Sequence, residues 1–346
     1  MQKQKSKRNI FGGHRMLLAG ILCLFGFCLL AQKPVQSRVK KTSEDTTKVR
    51  KREATPQKQP AKSKVYLIHS DLLRKDSRNP DAQVVVGNVV FRHDSVYMYC
   101  DSAYYYDKIS SFEAFSNVKM NQGDTLFLYG DRLYYDGNTQ IAEVRMNVRM
   151  ENRNTTLLTD SLNYDRVYNL GYFFDGGTLM DEQNVLTSEW GEYNPGTKQS
   201  VFNYNVKLVN PQFTLTSDTL EYNTASKVAN IVGPSDILSD NNHIYSERGT
   251  YNTMTGKAYL LDRSVLTNEG KQLTGDSLFY DRNEGLGEAF RNMVLTDTIN
   301  KNMMTGEYGF YNEKRGYAFA TDKAVAIDYS QGDSLFLHGD TLLMET

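Results

Sequence analysis

Cysteine and proline are scarce in this chain, which has three Cys and seven Pro among 346 residues. Cys23 and Cys28 lie in an apolar run near the N terminus, so Cys100 has no partner for a disulfide in the rest of the chain. The rest of the chain must therefore be stabilised by burial, and we expect Cys100 to behave as a small buried hydrophobe. The few prolines leave the repeated segments of the chain uninterrupted, and helix signals are almost absent there.

Signals of catalysis and of cofactor binding are also missing. After residue 31 the chain has four histidines, His69, His93, His243 and His338, which lie far apart, with no Ser, Cys or metal-ligand partner at a repeated spacing. The chain contains neither a glycine-rich phosphate loop nor the Gly-Gly-x-Gly-x-Asp repeat of calcium-binding β-helices. Its tyrosines are not interleaved with a basic stripe, which disfavours nucleic-acid binding. We therefore predict no catalytic residue, no metal and no cofactor.

The N terminus resembles an export signal. A basic start is followed by an unbroken apolar run over residues 16–31. As a helix this run would span about 24 Å, less than the roughly 30 Å hydrocarbon core of a membrane. We therefore predict a signal peptide over residues 1–31, cut after Ala31, with an uncleaved inner-membrane anchor as the alternative. The predicted location is outside the cytoplasmic membrane, which in a cell with two membranes is the periplasm, with association at the outer membrane as a further option.

Charge divides the remaining sequence into two parts. Residues 32–64 contain eleven Lys or Arg, three acidic residues and few large apolar residues, so we predict a basic disordered linker. Residues 65–346 carry a formal net charge of −14 and are predicted to form a single folded repeat domain.

A tyrosine recurs throughout this domain, at steps of 29 residues and a final step of 31. The series consists of Tyr106, Tyr135, Tyr164, Tyr193, Tyr222, Tyr251, Tyr280 and Tyr311. Asp or Asn follows each tyrosine, which is typical of a turn. A period of this size indicates one supersecondary unit stacked many times, each copy burying the apolar face of its neighbours.

Within each unit apolar residues alternate with a period of two, which predicts β-strands. Each unit then contains two strands and two turns, and the domain is an elongated all-β stack of antiparallel strands. The position between Leu and Tyr tolerates Tyr134, Asn163, Glu221 and Phe279 and is predicted to face outward. The inward residues are candidates for lining an apolar groove: Leu133, Tyr135, Leu162, Tyr164, Leu220, Tyr222, Leu278 and Tyr280.

Alternate units replace the inward leucine by glycine, at Gly191, Gly249 and Gly309. In one interpretation each glycine makes room for a large neighbour such as Trp190 or Tyr308. In the other, the missing side chains help to leave a trough along the stack that accepts a long apolar ligand, and the three glycines are further groove candidates.

The segment SDLLRKDSRNPDAQVVVGNVVFRHDSVYMYCDSAYYYD, residues 70–107, resembles the start of the OstA-like family, whose LptA-like members form the periplasmic bridge of lipopolysaccharide transport. The matching features are Asp71 and Leu73, the phrase Gly87-Asn88-Val89, Asp101, and Tyr106 with Asp107. Repeats of the same form continue to the end of the chain. The resemblance implies a twisted, open β-jellyroll whose interior holds the acyl chains of lipid A.

The resemblance also implies that strand pairing at the ends of the stack joins one protein to the next. The candidate contacts are Val65 and Leu67 at one end and Leu335, Leu337 and Leu342 at the other. Unpaired edge strands recruit another chain. The expected partners are other OstA-like transport proteins, an outer-membrane barrel, or a second copy of this chain joined head to tail; capping of the edges by loops is the alternative.

The predicted function is therefore the non-enzymatic binding and transport of lipopolysaccharide in support of outer-membrane assembly. The alternative is a structural or glycan-binding rod of the cell envelope. In that case Tyr105, Tyr134 and Phe279 would form an outward-facing aromatic ladder for sugars.

Overall fold

The computed structural model of the protein describes residues 63–239, 241–262 and 264–345. The predicted signal peptide and all but the last two residues of the predicted linker lie outside these residues. The described chain is built from β-strands, with one short 3₁₀ turn at Asp107–Ile109. The strands are β1 (Tyr66–His69), β2 (Leu72–Asp76), β3 (Asn79–His93), β4 (Val96–Tyr106), β5 (Ser111–Gln122), β6 (Leu126–Asp136), β7 (Ile141–Asn152), β8 (Thr155–Asp165), β9 (Leu170–Phe173), β10 (Gly177–Asp181), β11 (Asn184–Ser188), β12 (Trp190–Tyr193), β13 (Gln199–Asn210), β14 (Phe213–Asn223), β15 (Val228–Ile231), β16 (Ser235–Ser239), β17 (Asn242–Ser246), β18 (Arg248–Asn252), β19 (Lys257–Leu261), β20 (Val265–Asn268), β21 (Lys271–Thr274), β22 (Ser277–Asp281), β23 (Leu286–Asp297), β24 (Asn302–Asn312), β25 (Tyr317–Asp328) and β26 (Leu335–Glu345).

Each pass of the chain pairs antiparallel with the pass before it and the pass after it. In β7 and β8, for example, Val144 lies opposite Leu162 and Ala142 lies opposite Tyr164. Where a pass bends sharply it is divided into two short strands, such as β9 and β10, which pair with the two halves of β8. The predicted fold class, an elongated all-β jellyroll of stacked antiparallel strands, is confirmed.

Six strands, β3, β5, β7, β13, β23 and β25, carry a bulge near their middle that is formed by a pair of residues in the left-handed region. In β7 these are Met146 and Asn147, with φ of 64° and 52°, and together they lie opposite the single residue Asp160. Asparagine tolerates this backbone conformation better than most residues. The Asn147 Nδ2 donates to Asp131 Oδ2 at 2.5 Å, and the same bond recurs between Asn292 and Asp276 at 3.1 Å. The bends form a corner along the stack, which folds the strands into two facing sheets.

The predicted turns are confirmed. From Asp136 onward, the side chain of the Asp or Asn that follows each periodic tyrosine accepts hydrogen bonds from backbone N–H groups two or three residues later, as Asn194 Oδ1 does from Gly196 and Thr197.

The prediction that Tyr106 is the first inward tyrosine of the series is wrong. The inward residue is Tyr105, whose side chain is 5% exposed, and Tyr106 is the less buried neighbour. The step from Tyr105 to Tyr135 is therefore 30 residues, because the turn between β5 and β6 is one residue longer than the turn between β7 and β8, which lies in the 29-residue step from Tyr135 to Tyr164.

The inward side chains of the two sheets form one apolar cluster that extends from Val65 to Ala324. Burial of each Leu or Tyr in this cluster contributes about 1.5–3 kcal/mol, so the stack needs no covalent crosslink. Cys100 is part of the cluster, as expected, and burial raises the pKa of its thiol to about 12. In the described residues, no helix is long and apolar enough to cross a membrane.

Candidate functional site

The candidate site is the space between the two facing sheets, whose closed side is the corner of bends. On the opposite side the turns at the two ends of each pass come together. Along this line, which we call the seam, tyrosine hydroxyl groups of one sheet meet polar side chains at the strand ends of the other. The seam comprises Tyr135, Tyr164, Tyr193, Tyr222, Tyr251, Tyr280 and Tyr311 on one side and His93, Gln122, Asn152, Asp181, Ser239 and Asn268 on the other. The side that the resemblance implies to be open is thus spanned by hydrogen bonds.

The seam is linked most strongly at Asp181, which is buried at the end of β10. Lys227 Nζ lies 2.8 Å from both carboxylate oxygens of Asp181. Tyr222 donates its hydroxyl proton to Asp181 Oδ2 at 2.8 Å, and Asn184 Nδ2 donates to the tyrosine oxygen at 2.9 Å. A buried carboxylate that is paired and hydrogen-bonded in this way is stable only while its partners remain in place.

A second link joins His93 to Tyr135 and Arg166. The His93 Nδ1 lies 2.6 Å from the Tyr135 hydroxyl oxygen and 3.1 Å from Arg166 Nη1. Burial, assisted by the positive charge of Arg166, lowers the pKa of His93, so the neutral ring accepts at Nδ1. Burial also raises the pKa of Tyr135 to about 12, which keeps its hydroxyl protonated.

At the next levels Arg282 Nη1 donates to the Tyr251 hydroxyl at 3.0 Å, and two further links between neutral side chains are longer. Tyr193 donates to Asn152 Oδ1 at 3.4 Å, and Tyr311 donates to Asn268 Oδ1 at 3.4 Å. Tyr280 differs from the others, because its buried hydroxyl makes no hydrogen bond of ordinary geometry. Neutral bonds of this kind contribute about 0.5–1.5 kcal/mol each. The seam is therefore a row of links of unequal strength.

The residues predicted to line a groove lie together between the sheets, in the apolar cluster. Leu133, Leu162, Leu220 and the tyrosines of the series are almost completely buried, against one another and against the opposite sheet. Asn163 and Phe279 are half-buried, and Tyr134 and Glu221 are exposed, so the outward assignment of the middle position is confirmed.

The space beside each of the three glycines is occupied. A Cβ atom at Gly191 would lie 2.6 Å from the Phe173 ring, and a Cβ atom at Gly309 would lie 2.4 Å from the Phe319 carbonyl oxygen and 2.9 Å from Met293. The atoms that use the space belong to these neighbours and not to Trp190 or Tyr308, which the sequence suggested. In this conformation the glycines allow close packing of neighbouring passes.

We predict that Gly249→Ala destabilises the protein by about 1–3 kcal/mol, because overpacking forces the backbone to move. A Cβ atom at Gly249 would lie 2.5 Å from the backbone oxygen of Tyr259 on the paired strand β19. Urea denaturation measures the loss. Gly233→Ala is the matched control, since a Cβ atom there has no neighbour within 4 Å. Equal stability of the two variants would contradict the close approach of the strands at Gly249.

The predicted edge residues differ in exposure. Leu335 and Leu337 of β26 are exposed, and β26 pairs only with β25 among the described strands. Leu67 and Leu342 pack partly against the apolar cluster. Val65 is fully buried beneath Gly137, and its backbone N–H donates to Ser110 Oγ. In this conformation Val65 is thus not accessible to a partner, contrary to its assignment as an edge contact.

The predicted outer aromatic ladder also needs a correction. Tyr134 is exposed and Phe279 is half-buried, with its ring 4.9 Å from that of Tyr259. Tyr105, in contrast, points into the core, where its hydroxyl donates to the Val65 carbonyl oxygen at 2.8 Å. Tyr105 therefore cannot contact a sugar on the outer face.

Sequence reasoning missed the polar half of the seam. Asn152 and Asp181 are 29 residues apart, as are Ser239 and Asn268, so the period that revealed the tyrosines also contains their partners. Polar residues at strand ends resemble ordinary turn residues, and this resemblance concealed them.

Comparison with known proteins assigns the family. The family model described as OstA-like protein matches residues 62–218 and 214–276, which is more than half of the chain. No curated protein sequence matches. Among solved structures, the chain is similar to LptH from Pseudomonas aeruginosa, described as the LptA homologous periplasmic component of the conserved lipopolysaccharide transport device. The identity is 19%, the match covers 29% of this chain and 78% of LptH, and the TM-score is 0.27. On the strength of the family match, this chain belongs to the OstA-like family.

Proposed function

We propose that this chain is a non-enzymatic lipopolysaccharide-binding and transport protein of the periplasm, which covers acyl chains between its two sheets and supports outer-membrane assembly. Membership in the OstA-like family supports the proposal. The observation that carries it is the continuous apolar cluster between the sheets, closed along the seam by side-chain hydrogen bonds and by the buried Asp181–Lys227 ion pair.

The free energy gained by covering an acyl chain is larger than the cost of opening hydrogen bonds of the seam. Covering a chain of about twelve carbons is worth roughly 10 kcal/mol, at about 0.8 kcal/mol per CH₂ group. Opening a neutral link of the seam costs about 0.5–1.5 kcal/mol. Insertion therefore offsets the opening of several neutral links, and the inward leucines and tyrosines then contact the acyl chains.

The proposal includes partner proteins that pair with the edge strand β26. The outer edge of β26 has no strand partner among the described residues, and Leu335 and Leu337 are exposed beside it. We propose that this edge pairs with another OstA-like transport protein, with an outer-membrane barrel, or with a second copy of the chain.

We predict that a photo-crosslinking amino acid at Leu162, Leu220 or Leu278 captures lipopolysaccharide in cells that produce the full chain. The reason is that these side chains lie between the sheets. The same amino acid at Asn163 or Glu221, on the outer face, is the matched control and should capture none. Immunoblotting for lipopolysaccharide on the purified adduct gives the readout.

Capture at Asn163 and Glu221 but not at the inward positions would contradict the proposal and favour the glycan-binding rod. In that case Tyr134→Ala and Phe279→Ala would abolish retention on a glycan column. The thermal unfolding midpoint of each crosslinker variant shows whether the fold is intact.

A further inference from the structure

A cavity of about 370 Å³ lies at the seam beside Tyr280. Lys271, Arg282, Asn268, Glu313 and the exposed Lys314 contribute to its wall. The level of Tyr280 is also the one where the tyrosine hydroxyl has no hydrogen-bond partner. The row of tyrosine hydrogen bonds along the seam is thus interrupted at Tyr280, beside the cavity.

The wall contains the cations of Lys271, Arg282 and Lys314 and the carboxylates of Glu269 and Glu313, so positive charge exceeds negative charge by one. Arg282 is only 9% exposed, yet its guanidinium donates only to neutral groups, the Tyr251 hydroxyl at 3.0 Å and Gln212 Oε1 at 2.5 Å. No carboxylate of the described chain forms an ion pair with it. A buried charge without a counter-ion is unfavourable, so an anion in the cavity would be stabilising.

Each carboxylate of the wall accepts a hydrogen bond from an asparagine. Asn268 Nδ2 donates to Glu313 Oε2 at 3.0 Å, and Asn241 Nδ2 donates to Glu269 Oε1 at 2.6 Å. Lys271 has only a distant carboxylate, Asp297 Oδ2 at 3.7 Å. Burial and the negative charge of Glu313 raise the pKa of Tyr280, which keeps its hydroxyl protonated and able to donate.

The Tyr222 level of the seam can be compared with the Tyr280 level, because the two tyrosines occupy equivalent positions. Tyr222 lies 41 residues after Asp181, and Tyr280 lies 41 residues after Ser239. At the first level the carboxylate of Asp181 accepts the tyrosine proton. At the second level a serine takes the place of the aspartate, and the carboxylate of Glu313 raises the pKa of Tyr280 without accepting a hydrogen bond from its hydroxyl.

We propose that the cavity at Tyr280 binds the phosphate head of an acylated amphiphile, whose tail passes between the two sheets. The phosphate takes the place that a carboxylate fills at Asp181, and it accepts hydrogen bonds from Tyr280, Arg282 and Lys271. The tail contacts Leu278, which is buried next to Tyr280 in the same strand. This assignment rests on the proposed function and deepens it.

The test is titration of the full chain with dodecyl phosphate below its critical micelle concentration. We predict that Tyr280→Phe weakens binding by about tenfold or more, because a hydrogen bond to a charged acceptor is lost. Without ligand, Tyr280→Phe should not lower the unfolding midpoint, because the deleted hydroxyl has no partner. Tyr105→Phe is the matched control: it deletes a hydroxyl that donates to the Val65 carbonyl oxygen at 2.8 Å, so it should lower the midpoint and leave the affinity unchanged.

A second variant tests the analogy between the two levels. Ser239→Asp supplies the missing carboxylate, so it should raise the unfolding midpoint and abolish binding of dodecyl phosphate. Unchanged binding by Ser239→Asp or by Tyr280→Phe would overturn the assignment. Equally tight binding of dodecyl maltoside would overturn the role of the charged head, and equally tight binding of inorganic phosphate would overturn the role of the tail.

The outcomes separate this site from the proposed function. If lipopolysaccharide is captured at Leu162 and Leu220 but Tyr280→Phe binds dodecyl phosphate normally, the site is overturned and the transport function stands. If Tyr280→Phe weakens binding but no inward crosslinker captures lipopolysaccharide, the transport function fails and the site stands.

Discussion

Asp181→Ala is expected to lower the free energy of unfolding by about 3 kcal/mol, because it leaves a buried ammonium group without its principal partner. The Lys227 side chain is 12% exposed and lies within 2.8 Å of Asp181. Glu182, which is more than half exposed, retains one contact with Lys227 Nζ at 3.3 Å, and this contact places the loss near the lower end of the range for broken buried pairs. Tyr222 loses its acceptor at the same time.

Urea denaturation followed by circular dichroism measures the effect. The control is Asp262→Ala, which breaks a pair of the same 2.8 Å length between Arg248 and Asp262 where both side chains are more than half exposed. That change should cost about 0–1 kcal/mol. Asp181→Leu combined with Lys227→Met should recover most of the loss, since the double variant buries no unpaired charge. Equal losses for Asp181→Ala and Asp262→Ala would show that the seam is not held by the buried pair.

The periodic part of the fold could be predicted from the sequence because it repeats. The period of two assigned Leu162 and Tyr164 to the same face, and the 29-residue period aligned them with Leu220 and Tyr222. Each position was thus supported by several copies, and burial in the structure agrees with the assignment.

The predicted register was wrong at the first unit, where the local sequence pattern is ambiguous. Tyr104, Tyr105 and Tyr106 are consecutive, so each could close the first unit. The structure selects Tyr105 because its ring packs 5.3 Å from that of Phe91 in the core. This contact depends on packing between passes, and the length of the intervening turn cannot be judged from alternation alone.

The seam was missed for a different physical reason. Each link joins residues about 40 positions apart, as Tyr193 and Asn152 are, and the two residues lie in different sheets. A repeat period shows which positions are equivalent, but it does not show which of them meet across the space between two sheets. That information requires the bend at each corner, which the sequence signals only by pairs such as Met146 and Asn147.

The packing beside the glycines leads to the prediction with the largest expected loss. Phe173→Ala should cost about 3–5 kcal/mol, because it removes a fully buried ring and leaves a cavity. Two of the groups around the ring are glycines, Gly177 and Gly191, where a Cβ atom would lie 2.6 Å from ring atoms. Glycines have no side chain that can move into the gap, so the surroundings cannot collapse to fill it.

Phe174→Ala is the matched control, since it changes the same residue type at the adjacent position, where the ring is 45% exposed. It should cost at most about 1 kcal/mol, mainly through the lost contact with the Arg145 guanidinium 5.6 Å from the ring centre. Thermal and urea denaturation of both variants measure the difference. Apolar cavities remain dry and accept apolar ligands, so dodecyl phosphate should stabilise Phe173→Ala more than it stabilises the original protein. Equal losses for the two variants would mean that the space between the sheets is loosely filled at this level, and an acyl chain could then enter there without displacing Phe173.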